Sequence, residues 1–123
     1  MRFTLESGTQ VNTVRAYSPT ELRVGDSQVC RSCIVTADRL ITDWPPRTFE
    51  ALATQHLQNL FALEPRIVLL GTGLRQRFPG AAIREMFAER AIALEVMDLG
   101  AACRTFNILV REDRPVAAAL FFE

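Results

Sequence analysis

Apolar and polar positions alternate with two different periods along the chain, and the change of period divides it. Residues 2 to 41 run as short extended segments, FTLE, NTVRAY, ELRV, SQVCRSCIVT and RLIT, separated by Ser-Gly, Ser-Pro, Gly-Asp and Ala-Asp. Those separators suit turns, because Gly tolerates positive φ and Asp or Ser bonds nearby backbone amides. The pattern predicts a β-meander or ribbon, closed by DWPP, where Pro45 and Pro46 cannot extend a ladder. From Arg47 to Leu63 the period becomes helical: Phe49, Leu52, Ala53, His56, Leu57, Leu60 and Phe61 fall on one face, which predicts a single helix.

RIVLL, from Arg66, then reads as a short buried strand, and Pro79 opens a second helix in which Ile83, Met86 and Phe87 share a face. IALEVM is the next strand. Asp98 is placed to cap a third helix with the stripe Leu99, Ala102, Cys103, Phe106, Leu109 and Val110. REDRP turns into a last strand, VAAALFF, whose alanines allow close approach. Strand, helix, strand, helix, strand is the order of a sheet with right-handed crossovers. The expected fold is α/β, a three-layer sandwich with a central mixed, mostly parallel sheet. Its 123 residues form one domain, β-rich over 1–46 and α/β over 47–123.

Composition narrows the function. Fourteen acidic and fourteen basic residues cancel, which removes the electrostatic footprint of sequence-independent nucleic-acid binding. All the basic residues are arginine, so a P-loop lysine, a Schiff-base lysine and a Ser-Lys dyad are excluded. MRFTLESGTQ has no apolar h-region, and no run approaches the ~18 apolar residues of a membrane span. A bacterial, cytoplasmic protein is expected.

The turn after IVLL and the turn after ALEVM belong at the carboxyl ends of adjacent strands, where open α/β sheets bind ligands. Gly71, Thr72, Gly73, Arg75, Arg77 and Asp98 would converge there. Gly71, Gly73 and Asp98 imitate part of a dinucleotide fingerprint, but Gln76 stands at the third glycine position and the helix begins only near Pro79. The expected role is a tight turn. CRSC is followed at once by Ile34, Val35 and Thr36, which favour a strand, and in a strand Cys30 and Cys33 point to opposite faces, so no disulfide is expected. Cys103 and His56 stand singly, without the paired spacing of a zinc site, and no cofactor is expected. His56 lies in an apolar stripe as a packed histidine, and Asn107, at the margin of another, could bond a neighbouring loop or a ligand.

IVLLGTGLRQRF together with IALEVMDLGAACRTFNILVREDRPVAAAL resembles a family of small domains of unknown function that includes mitochondrial complex I assembly factor 3 and many short bacterial proteins. SCIVTADRLITDWPP extends the likeness over almost the whole chain. The matching positions are Gly71, Thr72, Gly73, Asp98, Ala102, Thr105 and Asn107. Leu99 and Phe106 depart, standing where relatives often carry threonine and tyrosine. The resemblance implies a mixed sheet flanked by helices and, for function, a non-enzymatic module that binds protein partners. The alternative is a small-anion pocket built from Gly71, Thr72, Gly73, Arg75, Asp98, Thr105 and Asn107. Self-association through an exposed apolar face is a third reading.

Overall fold

A computed structural model describes residues 11–122, so the segment FTLE lies outside the described residues. The β-rich opening forms two pieces. Strands β1 (Val14–Tyr17), β2 (Leu22–Val24) and β3 (Ser27–Val29) make a small antiparallel sheet in that order. Gly25, at φ 57°, turns β2 into β3, a conformation that glycine adopts without steric cost.

The main sheet takes five strands: β4 (Cys33–Thr36), β5 (Leu40–Ile41), β6 (Ile67–Thr72), β7 (Ala93–Met97) and β8 (Val116–Phe121), in the order β5-β4-β8-β6-β7. It is mixed, as expected, with three of its five strands parallel. β8, β6 and β7 run parallel, whereas β4 joins β8 antiparallel, with Cys33 opposite Leu120 and Thr36 opposite Ala117. Half of the pairings are therefore antiparallel, because the polypeptide enters the sheet from the ribbon and returns through the hairpin β4–β5 without a crossover helix.

The expected strand, helix, strand order from residue 66 onward is present. Helix α2 (Ala81–Glu89) connects β6 to β7, and α3 (Leu99–Arg111) connects β7 to β8; the short α1 (Leu57–Phe61) precedes β6. Alternate residues of the central strands enter two separate apolar clusters. Val35, Leu69, Ala118 and Leu120 pack with Leu99, Ala102, Cys103, Phe106 and Val110 of α3 and with Val14, Leu22, Val24 and Val29 of the ribbon. Ile34, Val68, Leu70, Ala119 and Phe121 pack with Leu57, Leu60, Ile83 and Phe87. Thus α2 and α3 occupy opposite faces. Successive crossovers of one hand require this, since β6 to β7 steps one way along the sheet and β7 to β8 steps back.

The single helix expected from Arg47 to Leu63 is broken. Phe49–Ala51 and Thr54–His56 are 3-10 turns, and only Leu57–Phe61 is α-helical. Side chains compete with the helical backbone here. Thr48 Oγ1 accepts the Ala51 N–H at 3.2 Å, His56 Nδ1 accepts the Ala53 N–H at 2.9 Å, and the buried Trp44 Nε1 donates to the His56 carbonyl at 3.1 Å. His56 is therefore a packed, backbone-bonded histidine. The segment SQVCRSCIVT is likewise interrupted: Arg31 Nη2 donates to the Trp44 carbonyl (2.7 Å) and Ser32 Oγ to the Pro46 carbonyl (2.5 Å), which carries the polypeptide from one sheet to the other. The two cysteines do not share a strand. Cys30 is exposed before β4, Cys33 is buried within it, and both are free.

Candidate functional site at the carboxyl ends of two parallel strands

β6 and β7 are neighbours, and the helices that follow them leave on opposite faces. The crevice between their carboxyl ends is the switch point at which open α/β sheets place ligands. Each residue of the Gly71-Thr72-Gly73 turn has a structural task there. A Cβ on Gly71 would lie 2.9 Å from Leu120 Cδ2, 3.0 Å from Ala102 Cβ and 3.5 Å from Leu99 Cα, so its absence lets α3 settle on β6. Thr72 is fully buried; its hydroxyl donates to the Arg75 carbonyl at 2.6 Å and accepts the Arg77 N–H at 3.0 Å. Gly73, at φ 91°, aims its carbonyl at the Leu99 N–H, 2.8 Å away.

Removing the Thr72 hydroxyl leaves the Arg77 amide and the Arg75 carbonyl without the partner that holds the loop. Thr72→Val is expected to cost about 1–3 kcal/mol, read as a lower midpoint in urea unfolding. An unchanged midpoint would show that the loop does not depend on this hydroxyl.

Asp98 caps α3 as expected: its backbone is extended and its Oδ1 accepts the Ala101 N–H at 2.8 Å. A cavity of about 370 Å³ opens beside it, lined by Tyr17, Ser18, Pro19, Gly73, Leu74, Leu99, Gly100 and Arg104 as well as Asp98. The cavity brings Gly73 and Asp98 together. Gly71 and Thr72 lie beneath it as buried supports, while Arg75, Thr105 and Asn107 do not line it. Arg77 turns the other way, pairing with Glu50 and lying over the Phe49 ring at 4.9 Å from its centroid. The Glu50 carboxyl is held below its ordinary value by a hydrogen bond from its own backbone, then by Arg77, with a smaller pull from Arg75.

Asn107 bonds a neighbouring strand. Its Oδ1 accepts the Val14 N–H at 2.8 Å and its Nδ2 donates to the Val14 carbonyl at 2.9 Å, so one amide side chain pairs with β1 as another strand would. Leu99 and Phe106 are buried in the cluster under the ribbon, where a threonine or tyrosine hydroxyl would need a partner. Sequence reasoning missed Tyr17 and Arg104. Arg104 Nη1 donates to Tyr17 Oη at 2.5 Å across 87 positions, and the ring lies over Gly100, where a Cβ would stand 2.9 Å from Tyr17 Cε1. The one local signal is a glycine in the first turn of a helix.

Burial pushes the Cys33 thiol up to about 12, with Cys103 close by adding to the effect, and burial pushes Cys103 to about 12 as well. Neither thiolate is available at neutral pH. The folded protein is expected to show one thiol equivalent, Cys30, to a thiol reagent at pH 8, and three after unfolding. Because both folded values lie above the ordinary 9.0, the thiols favour folding fully below pH 9 and lose that contribution as pH rises toward 12. Stability should fall over that window, and Cys33→Ala with Cys103→Ala should flatten the fall.

Among the described residues no helix is long and apolar enough to cross a membrane, and no cluster of His, Cys, Asp and Glu is arranged to hold a metal ion. A crystal structure of a protein from Bordetella parapertussis superimposes with a TM-score of 0.86 at 30% identity, covering 95% of this chain and 100% of that one. NADH dehydrogenase (ubiquinone) 1 alpha subcomplex assembly factor 3 of Danio rerio is 34% identical over 109 residues, 87% of this chain and 62% of the relative. A 13 kDa major membrane protein of Francisella tularensis is 32% identical over 71 residues, 58% of each chain. This chain therefore spans about three fifths of the length of these two curated relatives. Residues 14–121 match the model of a protein family of unknown function, DUF498/DUF598, and the chain belongs to that family.

Proposed function

We propose that the chain is a non-enzymatic, protein-binding module that acts in the assembly of a larger complex. The observation that carries this reading is where the polar side chains spend their bonds. Thr72, Asp98, Asn107 and His56, the groups a catalyst would draw on, each bond the protein's own backbone. A general base or nucleophile needs an aligned reacting partner, and the bonds these groups make are to turns, caps and the ribbon. The relatives named as complex I assembly factors support the same direction.

The alternative, a small-anion site, would use the cavity beside Asp98, with Arg104 as its cation. Thermal unfolding of the protein against nucleotides, phosphate, sulfate and small carboxylates separates the two. The assembly reading predicts no dose-dependent rise in Tm. A rise that Arg104→Ala abolishes would overturn it, since a ligand bound only by the folded state stabilises that state by mass action. The reading includes a cytoplasmic location, and recovery of the protein in washed membranes would contradict that part.

A further inference from the structure

β7 is an edge of the main sheet, and among the described residues no strand pairs with its outer side. The Ala93 N–H donates to Arg66 on the β6 side at 3.0 Å, and the Met97 carbonyl faces Thr72 of β6 at 3.3 Å. Alternation along a strand then aims the backbone groups of Leu94 and Val96 outward. Gln76 shows that this edge accepts a donor from outside: its Nε2 bonds the Val96 carbonyl at 2.8 Å, as a neighbouring strand's amide would. Leu74 and Phe78, on the same loop, are 69% and 67% exposed. Between that loop and α2 runs a groove of about 550 Å³ lined by Gln76, Phe78, Leu94, Glu95 and Val96, with Arg84 and Phe87 on the α2 side.

We propose that β7 is a docking edge for an extended partner segment that adds as a sixth strand, apolar toward Leu94 and Val96 and basic opposite Glu95. The inference rests on the protein-binding reading and names the kind of partner. Two facts fix the chemistry. Leu94 and Val96 belong to the apolar cluster that includes α2, so partner residues on that side extend it. Glu95 is exposed on the other side, where a cation lies directly across a pairing strand.

A second copy of the chain fits this edge poorly. Two-fold pairing that satisfies both outward residues sets Leu94 opposite Val96 of the other copy, which places Glu95 against Glu95 at a Cα spacing of about 4.5 Å. Sliding by one pair would engage Ile92, whose N–H already donates to the Phe87 carbonyl at 3.1 Å. Like charges directly opposite destabilise a pairing, so a basic strand from another protein is the fitting occupant.

The probes are two amidated octapeptides, one alternating valine with lysine and one alternating valine with glutamate, added to the isotope-labelled full chain and followed by NMR. The lysine peptide is expected to shift residues 74–78 and 92–97 saturably and to slow hydrogen exchange at the Leu94 and Val96 amides. It should bind about 2- to 10-fold more tightly than the glutamate peptide at low salt. Glu95→Lys should invert that preference. Gln76→Ala, which uncovers the Val96 carbonyl, should tighten binding by about 2- to 10-fold. Equal binding of the two peptides, shifts elsewhere, or protected Leu94 and Val96 amides without peptide in a one-chain or two-chain species would each overturn the assignment. Peptide failure alongside recurrent capture of a partner by the whole protein overturns the edge alone and leaves the protein-binding reading standing.

Discussion

Phe106→Ala is expected to lower the stability of the protein by about 3–5 kcal/mol, the usual cost of emptying a buried aromatic site. Phe106 has no exposed surface and stands where three elements meet: the central strands, its own helix α3 and the small sheet β1–β3. The surrounding side chains, Val14, Leu22, Val24 and Val29 among them, come from strands paired into the small sheet and cannot collapse freely into the space. Against a total of about 5–15 kcal/mol this is a large fraction, equivalent to a fall in Tm of roughly 10–20 °C. The ribbon should also lose protection first, because its remaining polar ties to α3 are the amide of Asn107 on Val14 and the bond from Arg104 to Tyr17. Hydrogen exchange at β1–β3 checks that order. A fall of less than about 1 kcal/mol would mean that the ribbon does not depend on this helix face.

Gly71→Val is the second large effect, expected to cost about 3 kcal/mol, the upper end of overpacking. The first added carbon already meets Leu120 Cδ2 at 2.9 Å, Ala102 Cβ at 3.0 Å and Leu99 Cα at 3.5 Å, and two further methyl groups add to that crowding. Helix α3 must then lift from β6. The bond from the Leu99 N–H to the Gly73 carbonyl and the Asp98 cap sit at the end that would lift. Urea unfolding of the variant and loss of Leu99 and Ala101 amide protection measure both consequences. Unchanged protection with unchanged stability would show that the close approach is not required.

The segments that were legible share a cause. Each element from Ile67 to Phe121 buries its own apolar residues at the period of its own backbone, and Asp98 announces the start of α3 because a cap is a local bond. Where side chains take the backbone's bonds, the pattern misleads. The stripe from Phe49 to Phe61 has helical spacing, yet Trp44 and His56 take its backbone groups and break it into short turns. The number of antiparallel pairings depended on where the hairpin β4–β5 docks, which residue spacing does not record. At the site, Gly71, Thr72, Gly73 and Asp98 were visible as a group, and the crevice does lie at the ends of their two adjacent strands. The partners in the cavity, Tyr17 and Arg104, come from the ribbon and the second turn of α3, and only the folded chain brings them together.

The proposed work of this chain lies in its contacts with another protein. The measurement that tests this most directly is affinity capture of the tagged full chain expressed at its native level, cross-linked before lysis and read by quantitative mass spectrometry. The same partner should recur in every replicate, with cross-links that include the loop 74–78 or the edge strand β7. Replicates that return no recurrent partner would contradict the account.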